Sequence, residues 1–221
     1  MNSASVKAYK GIGMEGMIAK WYATNTRKSI DEFKALARQV AEELSPESRV
    51  LELAPGPGYF AIELAKLGDY RITGIDISET FVEIARRNAV VAGVEVDFQL
   101  GDAANMPFEN ETFDFLLCRA AFKNFAEPLG AMKEMYRVIR VGGKGLILDL
   151  RRDSSWESIN EAADKMGLNL LNTAITKLIF RFVLLKRAYT KTEFQQFIYQ
   201  TNFRALDIQE YPIGLEIRLE K

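Results

Sequence analysis

Short apolar runs that alternate with segments of helical periodicity make up most of this chain. They occupy residues 49–54, 71–76, 94–100, 113–118 and 144–150. Buried parallel strands have this composition, because helices cover both faces of the sheet that contains them. The segments between the runs are long enough for right-handed crossover helices. We therefore predict an α/β fold with a Rossmann-like, doubly wound sheet.

The C-terminal part of the chain follows a different pattern. Thr190 and Glu193 form a capping box, which predicts a helix that extends to about Gln200. Two strand-like runs follow at 204–211 and 215–220, and the short connection between them allows only an antiparallel hairpin. The predicted sheet therefore has seven strands and is mostly parallel, with an antiparallel strand near one edge.

Several residues predict where the other helices begin and end. Ser29 and Glu32 form a second capping box, at the start of a helix that extends to residue 44. Gly68 and Gly93 are expected to cap the ends of the two helices that follow, and Pro128 lies in the first turn of the next one. Local signals therefore agree with the apolar periodicity.

The composition excludes several kinds of enzyme. The chain has 221 residues, a single cysteine, Cys118, and no histidine. It therefore has no Ser-His-Asp triad and no Cys-His pair, and we expect no metal site. One cysteine cannot form a disulfide within the chain, which favours a reducing compartment such as the cytoplasm. Because 29 basic and 30 acidic residues nearly cancel, we expect no nucleic acid partner.

The length favours a single domain over residues 1–221. Its expected parts are an N-terminal lid helix region at 1–28, a ligand-binding core at 45–150, a helical insertion at 153–189, and the last helix and hairpin at 190–221. Charged or polar residues interrupt both the N-terminal region and the longest apolar stretch, 168–185. We therefore expect neither a signal peptide nor a stable membrane insertion.

Residues suited to ligand binding follow each of the first three predicted strands. Glu52 precedes a loop with Gly56 and Gly58, where the missing side chains let the backbone turn and approach a ligand closely. Asp76 is placed to accept both hydroxyls of a ribose, and Asp102 to accept an amino proton of adenine. Each aspartate could instead be an ordinary polar loop residue. Because parallel strands end at one edge of a sheet, their recurrence there predicts a nucleotide-type site.

Two nucleotide-type ligands compete for this predicted site. Residues 56–61 formally match the pattern GxGxxA of dinucleotide-dependent oxidoreductases. Pro55 and Pro57, however, remove N–H donors that a pyrophosphate needs, and Glu52 adds a negative charge beside it. S-adenosylmethionine suits these residues better, because it carries an ammonium group and no phosphate.

The order of the motifs is similar to that in class I S-adenosylmethionine-dependent methyltransferases. Residues 52–58 resemble the first motif of that family, with Ala54 in place of its first glycine, and residues 75–78 resemble the second. Residues 101–108 resemble the third motif, and residues 137–143 resemble the glycine turn before the fifth strand. Within the family, the chain resembles the small-molecule branch that includes ubiquinone/menaquinone-biosynthesis methyltransferases.

The resemblance implies S-adenosylmethionine as the cofactor and assigns residues to it. The implied cofactor-binding residues are Glu52, Ala54, Gly56, Gly58, Asp76, Ile77, Asp102, Ala103 and Arg119. Tyr22 in the lid region, Lys123 after the fourth strand and Phe182 in the insertion are candidates for substrate binding. The histidines that many relatives carry after the fourth strand are absent here, and we assign no catalytic residue. Methyl transfer can proceed by alignment of the acceptor with the methyl group and exclusion of water.

We therefore predict a methyltransferase that acts on a small organic acceptor. The alternatives are a catalytically silent protein that binds S-adenosylmethionine or S-adenosylhomocysteine, and a dinucleotide-dependent oxidoreductase. The sequence indicates neither the acceptor nor the oligomeric state.

The predicted insertion contains a basic segment without acidic residues, from Lys165 to Thr192. Within it, one helical face carries apolar side chains at Leu171, Ile175, Leu178, Phe182 and Leu185. We expect this face to be buried against the rest of the domain. A cover over the substrate pocket, or peripheral contact with anionic lipid through residues 165–191, are the alternatives.

Overall fold

The computed structural model of the protein describes residues 9, 10, 13–164 and 170–221. Lys165 of the basic segment, and residues 1–8 and 11–12 of the predicted lid region, lie outside the described residues.

A seven-stranded sheet lies at the centre of the described structure. Its strands are β1 Arg49–Leu53, β2 Arg71–Asp76, β3 Asp97–Leu100, β4 Phe113–Arg119, β5 Ile139–Leu150, β6 Arg204–Glu210 and β7 Gly214–Glu220. Their order across the sheet is β3-β2-β1-β4-β5-β7-β6. Strands β1 to β5 are parallel, and β7 is antiparallel to both of its neighbours. The predicted fold is confirmed, including the antiparallel strand near one edge.

Helices connect the strands and cover the sheet. They are α1 Gly16–Thr26, α2 Ile30–Ala41, α3 Tyr59–Ala65, α4 Glu79–Ala92, α5 Pro128–Val138, α6 Trp156–Asp164, α7 Leu170–Ile179, α8 Leu185–Arg187 and α9 Lys191–Tyr199. A 3₁₀ turn, Arg27–Ser29, joins α1 to α2, and a π-helical segment, Phe180–Leu184, joins α7 to α8. Within the described residues, no helix combines the length and the apolarity that a bilayer crossing needs.

Apolar cores lie on both faces of the sheet, as a doubly wound fold requires. One core contains Val40 from α2 and Phe60 from α3, and the other contains Met132 from α5 and Phe194 from α9. Burial of these side chains is the main stabilising contribution to the fold. The carboxyl ends of the parallel strands lie at one edge of the sheet, between the two cores.

The predicted helix ends are confirmed in part. Gly93 caps α4 in a left-handed conformation, and Thr190 and Glu193 form the predicted capping box of α9. The prediction at Ser29 is wrong, because the 3₁₀ turn leads directly into α2 and the Ser29 side chain caps nothing. The prediction at Gly68 is also wrong, since α3 already ends at Ala65 and Gly68 does not adopt a positive φ.

Two strands differ from their predicted bounds by more than one residue. Strand β3 begins only at Asp97, three residues after the predicted start at 94. Strand β5 begins at Ile139, so the predicted turn at 137–143 largely lies within it. Its register with β4 shifts between Phe113, opposite Ile139, and Phe115, opposite Lys144, so β5 has three more residues than β4 in this interval.

The insertion does not bury the apolar face that the sequence predicts. Ile175, Leu178 and Phe182 are 46%, 52% and 56% exposed, and the side chain of Leu171 lies outside the described ones. Among the described residues from 173 to 188, only Leu185 and Ala188 are buried. The helix packs against α6 and reaches the rest of the domain near its C-terminal end, so most of its apolar face is turned to solvent.

Candidate functional site

The candidate site lies at the carboxyl ends of β1, β2 and β3. Glu52 is the next-to-last residue of β1, Asp76 is the last residue of β2, and Asp102 follows β3. The parallel register of these strands brings the three acidic residues to one edge of the sheet. Ligands of open α/β sheets bind at this edge.

The loop after β1 depends on left-handed backbone conformations. Gly56 and Gly58 have φ angles of 54° and 77°, and a Cβ atom at Gly58 would lie 2.5 Å from Cζ of Phe98. Ala54, which replaces the first glycine of the motif, also has a positive φ of 53°. This conformation costs a non-glycine residue about 1–2 kcal/mol. The loop therefore holds a strained backbone next to the site.

Asp76 joins the β1 loop to the start of α4. Its Oδ2 accepts a hydrogen bond from Gly56 N at 3.0 Å, and its Oδ1 accepts one from Ser78 N at 2.9 Å. Burial raises the pKa of this carboxyl to about 6, although the two N–H donors act in the opposite direction. The carboxylate is thus positioned by the backbone of two elements.

Glu52 is a buried acid with little compensation for its charge. Its side chain is almost inaccessible, and within the described residues it accepts one hydrogen bond, from Ala61 N at 3.2 Å. Burial raises the pKa of Glu52 to about 8. A cationic ligand group beside Glu52 would favour its charged form. The residues of this edge, two buried carboxylates and a glycine loop, fit the ammonium group and ribose of S-adenosylmethionine.

The third part of the predicted cofactor site lies after β3. Oδ1 of Asp102 accepts a hydrogen bond from Ala104 N at 2.9 Å, which shapes the loop, and Ala103 is buried. Ile77, on the β2 side, is 42% exposed. An exposed apolar side chain beside a polar loop is suited to contact a flat ring, which remains the predicted role of Ile77.

Helix α1 covers the glycine loop from outside the sheet. The ring of Tyr22 packs edge-on against Phe81 of α4 with centroids 5.7 Å apart. One of its ring carbons lies 4.0 Å from where a Cβ of Gly56 would be. The carboxylate of Glu15 accepts hydrogen bonds from the first N–H groups of α4, at Glu79 and Thr80. Sequence reasoning missed this role of Glu15, because the contact joins residues more than 60 positions apart.

The N-terminal segment and the insertion meet beside the site. Nζ of Lys10 donates to the hydroxyl of Tyr189 at 2.5 Å, and Arg187 donates to the Lys10 carbonyl at 3.1 Å. Burial raises the pKa of Tyr9, Arg187 lowers it, and Asp76 raises it further. Tyr9 therefore lies within range of the charges of Arg187 and Asp76. No local sequence signal predicts this contact.

The carboxyl ends of β4 and β5 contain a buried ion pair. Nζ of Lys123 lies 2.9 Å from Oδ1 of Asp149 and also donates to the carbonyl of Ala120. Cys118 is buried beside this pair, and burial raises the pKa of its thiol. Lys123 is a predicted substrate-binding residue, but its side chain is only 6% exposed and its ammonium group is bound to Asp149.

Two other predicted site residues, Arg119 and Phe182, do not point freely into the candidate site. The guanidinium of Arg119 stacks on the ring of Phe33, 4.3 Å from its centroid, and pairs with Glu32 at 3.0 Å. It therefore ties α2 to the end of β4, and its charge lowers the pKa of nearby Glu52. Phe182 lies on the exposed face of the insertion.

Residues 51–147 match the family described as methyltransferase domain. This part of the chain is therefore similar to methyltransferase domains. The chain is 31% identical over 150 residues to the demethylmenaquinone methyltransferase of Deinococcus radiodurans, covering 65% of this chain and 62% of the relative. It thus spans less than two thirds of that relative's length.

Solved structures share the fold at lower identity. A proposed S-adenosyl-L-methionine-dependent methyltransferase of Methanococcus maripaludis superposes with a TM-score of 0.78 at 20% identity, over 96% of this chain and 95% of that one. The [4+2]-cyclase SpnF superposes with a TM-score of 0.67 at 19% identity, over 85% and 80% of the two chains. These likenesses concern the fold, which accommodates more than one reaction.

Proposed function

We propose that the protein binds S-adenosylmethionine at the carboxyl edge of β1 to β3 and transfers its methyl group to a small organic acceptor. Glu52 would hold the ammonium group, Asp76 the ribose, and Asp102 with Ala103 the adenine. The observation that carries the proposal is the buried carboxyl of Glu52, whose pKa of about 8 reflects a charge without a cationic partner.

When bound, the cofactor supplies a methyl group on a positively charged sulfur that is already a good leaving group. The chain's own contribution is then alignment and exclusion of water rather than acid catalysis. Asp76 orients the nucleoside end through a carboxylate that Gly56 N and Ser78 N already position. Tyr22 of helix α1 packs next to the glycine loop at this edge.

We further propose that the acceptor is a quinone-type molecule. Support comes from the name of the Deinococcus radiodurans relative and from the many aromatic side chains near the end of β4. Phe122, Phe125 and Tyr189 pack together there.

The single buried thiol supports a reducing, cytoplasmic location for the protein.

Calorimetry with S-adenosylhomocysteine and with NAD tests the cofactor. We expect S-adenosylhomocysteine to bind and NAD not to bind. Because an ammonium group favours the charged form of Glu52, binding near pH 7 should release about one proton. Titration in buffers of different ionisation enthalpy measures this release, and Glu52→Gln should abolish it. Binding of NAD alone would identify an oxidoreductase instead.

A methyl-transfer assay with radiolabelled cofactor tests the reaction. Demethylmenaquinone is the first acceptor to use, followed by extracts of small metabolites and lipids. Transfer to a quinone supports the full proposal, and transfer to another small molecule supports only its first part. Binding of S-adenosylhomocysteine without transfer to any acceptor would favour the catalytically silent alternative.

A further inference from the structure

The helix of the insertion exposes a continuous apolar stripe. Its members are Ile175, Leu178, Ile179, Phe182 and Val183, each between 44% and 56% exposed. Their spacing of three, four, seven and eight residues from Ile175 is that of one face of a helix. Single exposed apolar residues are normal on protein surfaces, whereas a contiguous stripe marks a surface that contacts something apolar.

Basic side chains accompany this apolar stripe. Arg181 is exposed, and Lys186 lies over the ring of Phe182 with its ammonium 5.9 Å from the centroid. Within the described part of the chain, neither forms an ion pair, whereas Lys177 pairs with Asp164 at 2.9 Å. The sequence from 165 to 192 contains no acidic residue. The stripe therefore combines an apolar face with positive charge that the protein itself does not neutralise.

We propose that this helix, residues 173–187, docks on an anionic lipid surface. Its apolar stripe would insert among the acyl chains near the headgroups, and Arg181 and Lys186 would contact lipid phosphates. A second copy of the chain is a poorer occupant, because a two-fold contact between two such helices would bring their basic side chains together without acidic partners. An anionic bilayer supplies the complement in both polarity and charge.

The position of the helix connects docking to the candidate site. Arg187, at its C-terminal end, contacts Lys10, and Tyr9 lies near both Arg187 and Asp76. A docked helix would therefore place the membrane beside the segment that covers the cofactor edge. An apolar acceptor could then reach the site from the bilayer, but docking itself does not depend on the proposed function.

Co-sedimentation with vesicles tests this surface. We expect the wild type to sediment with phosphatidylglycerol–phosphatidylcholine vesicles at low salt and to remain in solution with phosphatidylcholine alone. Leu178→Gln/Phe182→Gln should reduce the bound fraction by about tenfold or more. Arg181→Gln/Lys186→Gln should reduce the bound fraction less. Added salt should lower the bound fraction of the wild type towards that of this charge variant.

Matched variants elsewhere separate docking from general changes in the surface. Val90 and Val91 of α4 are 79% and 82% exposed, so Val90→Gln/Val91→Gln removes similar apolar groups. Arg87→Gln/Lys133→Gln removes two exposed charges of α4 and α5. Both controls should sediment like the wild type, and circular dichroism should show that every variant is folded.

Four results would overturn the proposal. The wild type could remain in solution with anionic vesicles, or bind neutral vesicles equally well. The Leu178→Gln/Phe182→Gln variant could retain full vesicle binding. Sedimentation equilibrium could instead show a wild-type dimer that this variant dissociates, which would identify a second copy as the occupant. Calorimetry with S-adenosylhomocysteine on the same samples tests the proposed function independently of each outcome.

Discussion

The two halves of the sheet's carboxyl edge differ in how they accommodate buried charge. At the end of β1, the buried carboxyl of Glu52 accepts one hydrogen bond within the described residues, from Ala61 N. At the end of β5, Asp149 is also buried, but its oxygens accept three hydrogen bonds, one of them from the ammonium of Lys123. Within the described residues, no cation forms an ion pair with Glu52, although the charge of Arg119 lowers its pKa, whereas Lys123 pairs with Asp149.

This difference separates the half that we propose to bind the ligand from a structural half. A buried charge is unfavourable unless it is paired, so Glu52 is stabilised in its charged form only when something outside the protein supplies a cation. Lys123 and Asp149 satisfy each other and hold the segment after β4 against β5. One feature is common to both halves: Ala54 and Ala120 each have a positive φ, of 53° and 57°.

The largest expected effect is on the structural half. Lys123→Met removes one partner of a buried ion pair and should lower the free energy of unfolding by about 3–5 kcal/mol. Urea unfolding measures the change. Lys34→Met is the matched control, because Lys34 pairs with the exposed Asp31 and should lose at most about 0.5 kcal/mol. Equal losses in the two variants would remove the distinction between the halves.

Glu52→Gln should have the opposite effect on stability. Because the pKa of Glu52 is raised to about 8 in the folded protein, the folded state binds more protons than the unfolded state between about pH 4.5 and 8. The stability of the wild type therefore falls as pH rises through this range. The variant avoids that loss and should be more stable by about 2–4 kcal/mol above pH 8, with no gain below pH 4.5.

Thermal or urea unfolding as a function of pH checks this sign. Glu32→Gln serves as the control, because the Glu32 carboxyl is 67% exposed and its removal should give little dependence on pH. If the stability difference between Glu52→Gln and the wild type were the same at pH 8 as at pH 4, the charge of Glu52 would already be compensated within the protein.

The next effect concerns ligand affinity. Asp76→Asn keeps the size of the side chain but removes its charge, so S-adenosylhomocysteine should bind more weakly by about 1.5–3 kcal/mol. Asp97 lies at the start of β3, at the edge of the sheet opposite the candidate site, so Asp97→Asn should leave the affinity for S-adenosylhomocysteine unchanged. Calorimetry measures both values. Unchanged affinity for Asp76→Asn would place the ribose elsewhere.

The smallest effect concerns the backbone of the β1 loop. Ala54→Gly relieves a left-handed conformation and should raise the free energy of unfolding by about 1 kcal/mol. Ala120→Gly should act in the same direction, which would show that this strain is common to the two halves. Ala92→Gly, in the last turn of α4, should instead lower stability by about 0.5–1 kcal/mol. Urea unfolding distinguishes these signs.

Local chemistry explains which parts of the molecule could be predicted. Strand and helix order, the capping box at Thr190 and the positions of Glu52 and Asp76 follow from periodicity and from turn residues close in sequence. The capping prediction at Ser29 failed because the preceding 3₁₀ turn, whose conformation depends on α1, continues into α2. The local capping pattern does not show that a preceding turn already continues into the helix.

The sequence by itself determined the alternation of strands and helices, the acidic residues at the strand ends and the amphipathic period of the insertion. Only the tertiary structure decided that Lys123 pairs with Asp149, that Lys10 reaches Tyr189, and that the apolar stripe faces solvent. Periodicity predicts that a helix has one apolar face, because successive side chains rotate by a constant angle. Which way that face turns depends on packing between elements that are distant along the chain.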